Sequence, residues 1–180
     1  MTMADQALLQ KIFVGKGFSE YCWIDPQEIV VAQWVRMKSL FGCDSYGSAS
    51  SPPNTPPLAD CREFFREFRL GVLFHFSRHF NDPEERRAWS RDVNRALVDL
   101  ERAVFIAGYP KAFLLFMDSC NLCRECASSR AACRNKKLAR PSPEGMGVDL
   151  FATVAKYNYP LQVLGQYDQE LNHYAFLLIE

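Results

Sequence analysis

The sequence predicts an α/β protein, with α+β as the alternative. One domain is expected over residues 1–180, a mixed β-sheet flanked by helices, with a cysteine-rich metal-binding loop after a central strand. Three observations carry that expectation. Hydrophobic residues make up 48% of the 180 and charged residues 23%, which is enough apolar side chain to bury a core and too much for a disordered chain. Short β-branched and aromatic runs alternate with stretches of helical periodicity, the pattern of a sheet covered by helices. Turn chemistry is concentrated in two segments, a Pro/Ser-rich loop over 42–57 and a cysteine-rich loop over 118–142. No internal repeat is present.

The elements follow in chain order. Ala4 to Phe13 reads as a short amphipathic helix ending at Gly15-Lys16-Gly17. Tyr21 to Ile24 and Ile29 to Val35 read as strands, broken by Asp25-Pro26. The 42–57 segment carries four prolines, none able to donate to a sheet ladder, and is expected to be an ordered loop. Thr55 is placed to cap a helix running to Phe68, with Leu58, Cys61, Phe64, Phe65 and Phe68 along one face. Leu70 to Phe76 is a strand candidate. Asp82-Pro83-Glu84-Glu85 combines an acceptor cap, a proline in the first turn and carboxylates at the positive end of the dipole, so a long helix should run from there to about Ala107. Gly108 ends it. Ala112 to Met117 is continuously apolar, as a strand buried on both faces would be. Ser142 is expected to cap a turn, and Val148 to Lys156 to be helical. Leu161 to Tyr167 and His173 to Ile179 look like a closing β-hairpin.

Charge and hydropathy exclude several function classes. Basic and acidic residues balance at 21 each, and a general nucleic-acid binder needs a basic surface to release counterions. Apolar stretches such as Ala112 to Met117 fall far below the roughly 20 residues needed to cross a bilayer. Asp5, Gln6, Gln10 and Lys11 interrupt the N-terminal segment, unlike a secretory signal. A cytoplasmic protein without a membrane or nucleic-acid partner is therefore expected, in a compartment that keeps thiols reduced. An odd number of cysteines (Cys22, Cys43, Cys61, Cys120, Cys123, Cys126 and Cys133) then argues against a disulfide framework and towards metal ligation or burial.

The strongest chemical signal is Cys120-x2-Cys123-x2-Cys126-x6-Cys133, directly after the apolar Ala112–Met117 run. Two intervening residues let one turn point neighbouring sulfurs at a common centre. Three such cysteines wrap a corner, and the fourth closes from a longer arm. This is the logic of the bacterial ferredoxin run, which closes instead with three residues and a proline. A four-thiolate zinc site is the alternative, but zinc knuckles usually come as two pairs a dozen or more residues apart. The even spacing fits a [4Fe–4S] cluster better. Around these thiols Arg124, Arg130, Arg134, Lys136, Lys137 and Arg140 face only one anion, Glu125, over residues 124–140. Such a charge would stabilise a negative cluster, receive a small anion or an acidic redox partner, or simply be a solvated basic loop.

Other candidates are weaker. Cys43 and Cys61 flank the Pro-rich loop and form a weak second site, since two thiolates cannot close a cage; burial is the simpler expectation for both. Cys22 is expected to pack in its strand. His75 and His79 would share a face only in a helix, and Leu70 to Phe76 reads as a strand; His173 is expected at the surface. No dinucleotide fingerprint, P-loop or nucleophile elbow appears, so no catalytic residue is designated.

Val35-Arg-Met-Lys, Phe41-Gly-Cys43, Tyr46-Gly, Ser51-Pro-Pro-Asn-Thr-Pro and Cys61-Arg resemble the first half of a prokaryotic family of predicted metal-binding proteins common in anaerobes, domain of unknown function 2284. Cys120-x2-Cys123-x2-Cys126-x6-Cys133-Arg, Ala139-Arg-Pro-Ser and Glu144-Gly-Met-Gly-Val-Asp-Leu-Phe151 resemble its second half. The likeness covers roughly residues 25 to 180 and implies a cysteine-bound metal centre, without naming a reaction. It also implies cysteines where Ser39 and Ser51 stand here, so the first-half site should be lost or weakened while the Cys120–Cys133 site is intact. Four protein thiolates leave no iron open to substrate, so the expected function is electron transfer or service as a redox partner. The alternatives are a structural zinc protein acting as an interaction module, and a redox enzyme with an unrecognised small-molecule pocket to which Tyr46, Arg62 and Arg140 would contribute.

Overall fold

The computed structural model describes residues 3–166 and 168–180, with the side chains of Met3 and Ala4 left aside. Helix α1 (Met3–Gly15) leads into strand β1 (Tyr21–Ile24), then helices α2 (Gln33–Gly42) and α3 (Leu58–Arg66), strand β2 (Gly71–Arg78), helix α4 (Pro83–Ile106), strand β3 (Phe113–Leu115), helix α5 (Leu150–Ala155) and strand β4 (Leu171–Leu178). The strands form one sheet in the order β1-β2-β4-β3. Every neighbouring pair is antiparallel, with Val72 opposite Leu177 and Leu114 opposite the same residue from the other side.

Helices and strands thus mix as expected, but the sheet is antiparallel throughout rather than mixed. Strand–helix–strand alternation predicts parallel strands, and β2 and β3 do run the same way across α4, since both oppose β4. What the sequence pattern hides is that β4, from the far end of the chain, inserts between them. β3 consequently lies at an edge of the sheet, not at its centre. It is still buried, because helices cover both faces.

One face packs under α1 and α4, where Leu9, Phe13, Leu97, Leu100 and Val104 meet Val72, Phe74, Leu114, Ala175 and Leu177. The other face packs under α3 and α5, with Phe65, Met146, Val148 and Val154 against Leu73, Leu115, Tyr174, Phe176 and Leu178. Alternate residues of β4 serve alternate faces, so its run Tyr174 to Ile179 is apolar without a break. Truncating one of its rings, Phe176, would cost about 3–5 kcal/mol.

α4 begins as its sequence requires: Asp82 accepts from the Glu84 N–H at 2.9 Å and Pro83 occupies the first turn. α3 does not start at Thr55 but at Leu58, because the Thr55 hydroxyl is taken by Gly145 O (2.9 Å) and by a donor from Arg36 (3.1 Å). Ile29 to Val35 is not a strand. Val31 makes one isolated bridge with Val148, and the chain turns into α2 at Gln33. Residues 161–166 form no strand either, and Tyr167 lies outside the described residues. The reason is topological: β2 and β3 already occupy both hydrogen-bonding edges of β4. Ser142 does cap a turn, accepting from the Gly145 N–H at 3.1 Å.

Candidate functional site

The cysteine-rich loop leaves the sheet at the end of β3 and is anchored on α4 at both of its ends. At the start, Asn121 donates to the Ser90 hydroxyl (2.9 Å) and accepts from Asn94 (3.3 Å) through its side chain, while its carbonyl accepts from Arg91 Nε (3.1 Å). At the finish, Arg140 forms a two-pronged ion pair with the buried Glu101, Nε to Oε1 at 3.0 Å and Nη2 to Oε2 at 2.7 Å. Glu101 Oε1 also accepts from the Leu114 N–H at 2.9 Å, so one carboxylate ties α4, β3 and the loop's end together. The Phe116 N–H donates to Pro141 O at 2.9 Å and closes the base of the loop.

Between these anchors Cys120, Cys123 and Cys126 line one cavity of about 660 Å³, together with Arg87 and Arg91 of α4. Cys133 is buried and packs with Cys120, Ala49 and Ala139. N–H donors point at two of the sulfurs: Asn135 Nδ2 reaches Cys123 Sγ at 3.0 Å, and the Ala49 backbone N–H reaches Cys126 Sγ at 3.5 Å. Burial pushes the Cys120 thiol up. The Leu122 N–H and Ser50 hydroxyl oppose that shift, and the nearby Cys126 and Cys133 sulfurs add to it.

These features test whether the residues suit a thiolate-bound metal. The donor set is four thiols on one short loop, three at one cavity, with N–H groups aimed at sulfur and cations beside them. That is what a negatively charged sulfur-ligated centre requires. Among the described residues, however, no three His, Cys, Asp or Glu side chains converge as a ready-made cage. Protonated thiols have nothing to draw them together, and metal binding both deprotonates and gathers such ligands.

The remaining sequence candidates are dispersed. Cys61 lies in the core against Ile29 and Phe65, its thiol donating to Pro56 O at 3.5 Å, whereas Cys43 is exposed at the mouth of a different cleft, so the pair does not make a site. Ser39 and Ser51 line that same cleft beside Cys43. Cys22 packs in β1 as expected. His75 is held in β2 by Glu20 and Asn172 and stacks on Tyr174, while His79 Nδ1 meets Asp168 O at 3.1 Å. His173 is partly buried rather than at the surface, with Nδ1 donating to Met117 O at 3.2 Å. Arg140 is committed to Glu101, Arg62 donates to Val31 O at 3.1 Å, and Tyr46 is exposed, so these three do not line a common pocket.

Sequence reasoning missed Arg87, Arg91, Asn121 and Asn135. Arg87 and Arg91 are four apart on the polar face of α4, which marks one stripe of the helix but not what it faces. Asn121, between two ligand candidates, was the more legible clue.

Among the described residues, no helix is long and apolar enough to cross a membrane. No curated protein and no solved structure matches the chain. The sequence model of one family, described as a predicted metal-binding protein (DUF2284), matches residues 22–179. The chain belongs to that predicted metal-binding family.

Proposed function

We propose that Cys120, Cys123, Cys126 and Cys133 hold a [4Fe–4S] cluster and that the protein works in electron transfer, as a carrier or the redox partner of another protein. The observation that carries this reading is the meeting of Cys120, Cys123 and Cys126 at one cavity with N–H donors directed at two sulfurs. When bound, such a group supplies one-electron chemistry, at a potential set by hydrogen bonds to sulfur, local charge and exposure. The chain's own residues supply those controls. Asn135 and Ala49 donate to sulfur, Arg91 and Arg124 place positive charge at a cavity where Arg87 is already paired with Glu84, and Asn121 and Arg140 hold the loop's ends in register. Cys126 is exposed, so the partner's approach is short there. The basic surroundings suit a partner with an acidic docking face. A reducing compartment such as the cytoplasm suits a centre built on thiolates.

Anaerobic purification tests the proposal. Brown protein, bleached by dithionite and carrying about four irons per chain, is the expected result. Colourless protein with one zinc per chain would overturn it in favour of a structural zinc site serving an interaction module.

A further inference from the structure

Helix α2 turns most of its apolar side chains to solvent. Val35 is buried, whereas Trp34, Met37, Leu40 and Phe41 are 48%, 43%, 43% and 78% exposed. Trp34, Met37 and Phe41 recur at i, i+3 and i+7 and form one stripe. A stripe of that spacing ordinarily faces the core; here Val35 and the half-buried Ser39, on the opposite side of the helix, do so instead. Trp34, Met37, Phe41, Lys38 and Gly42 line a shallow hollow of about 490 Å³. At Gly42 an added Cβ would meet nothing within 4 Å, so the missing side chain leaves open space beside the Phe41 ring.

Two exposed charges bracket Phe41, Lys38 three residues before it and Asp44 three residues after it. Among the described residues neither side chain has an ion-pair or hydrogen-bond partner. A two-fold axis through Phe41 would lay α2 against a second α2 and set Lys38 of each copy opposite Asp44 of the other. Such self-complementarity is what a contact between identical surfaces requires. A membrane surface would call for several cations on the polar flank rather than one charge of each sign. A different protein would need no match about a central residue.

The area is sufficient. At their fractional exposures the four apolar side chains leave about 400 Å² bare. Two copies would cover about twice that, and with an interface about 60% apolar the whole contact comes to about 1,300 Å², the size of a specific association.

We propose that the α2 face joins two copies of this chain, each Phe41 ring seated in the hollow between Trp34, Met37 and Gly42 of the other copy. The contact uses none of the thiols of the cysteine-rich loop, so it stands or falls separately from the cluster.

Sedimentation equilibrium of the full-length protein decides the matter, under reducing conditions that exclude a disulfide through the exposed Cys43. The unaltered chain should dimerise with a Kd of about 10 μM or below. Phe41→Ser should weaken the dimer at least about ten-fold. Lys38→Asp and Asp44→Lys each set like charges together at two symmetry-related points and should have an effect of similar size, at least about ten-fold. Mixed in equal amounts, these two charge variants should regain most of the original affinity as a heterodimer, because every contact then joins unlike charges. An unaltered chain that stays monomeric at about 100 μM, a Phe41→Ser dimer as tight as the original, charge variants that dimerise undiminished, or a mixture no tighter than either alone would each overturn the proposal. The mixing experiment keeps the test decisive if Phe41→Ser fails to fold.

Discussion

Replacing Glu101 by alanine should be among the most damaging single changes outside the sheet core. The side chain of Glu101 is 8% exposed and that of Arg140 21%. Truncation leaves the guanidinium without its counter-ion and the Leu114 N–H without its acceptor. Removing one partner of a buried pair costs about 3–5 kcal/mol, and an orphaned buried donor about 1–3 kcal/mol. These penalties overlap, and Arg140 retains bonds to Lys137 O and Ala139 O, so the lower part of the first range applies, about 3 kcal/mol. For a chain of this size that corresponds to a drop of about 6–12 °C in Tm. Equilibrium urea unfolding, followed by tryptophan fluorescence and circular dichroism, measures it. The Glu101→Leu, Arg140→Met double variant should recover only part of the loss, because an apolar pair can replace a buried ion pair but leaves the Leu114 N–H without its acceptor. The exposed Arg66–Glu63 pair is the control, with no measurable change expected on its removal. A loss below about 1 kcal/mol for Glu101→Ala would refute the view that this carboxylate anchors the loop.

Four further outcomes are expected. Cys123→Ser should abolish iron content while Cys22→Ser leaves it unchanged, measured on anaerobically purified protein. Asn135→Leu should keep the metal stoichiometry but lower the reduction potential, read by redox titration, because it deletes an N–H donor to Cys123 sulfur. Glu144 binds its proton more firmly in the folded protein, so its contribution to stability is complete below its ordinary 4.5 and is lost as pH rises through about 7; denaturation midpoints from pH 4 to pH 8 should fall less steeply for Glu144→Gln. Gly147 has φ +81°, and an added Cβ would lie 2.1 Å from Leu58 Cδ2, so Gly147→Ala should cost about 2–4 kcal/mol in the same unfolding assay.

The parts of the fold legible in the sequence are those governed by local chemistry. Asp82-Pro83 specifies the start of α4 through a cap and a fixed φ, and Gly108, at φ 106°, marks its end. The errors arise where distant segments decide. Ile29 and Val31 have strand propensity, yet Ile29 is spent on the core beside Phe65 and Val31 on a single bridge to Val148, which frees the chain to become α2. Residues 161–166 alternate as a strand would, but whether β4 has a free edge cannot be read locally. The cysteine spacing revealed the thiols, and their clustering at one cavity follows from a loop too short to disperse them. Glu101 was invisible as an anchor because a lone acidic residue in a helix reads as solvated; only the fold brings Arg140 to it.

The separation between the cysteine loop's anchors and its sulfurs has a consequence for assembly. Glu101, Asn94 and Ser90 grip residues 121 and 140, not the thiols, so the framework can be synthesised and folded before any inorganic component arrives. If these thiols hold the proposed cluster, its loading would be a late event reached through the exposed Cys126, and oxidative loss of the contents would leave behind an intact vessel that could be refilled.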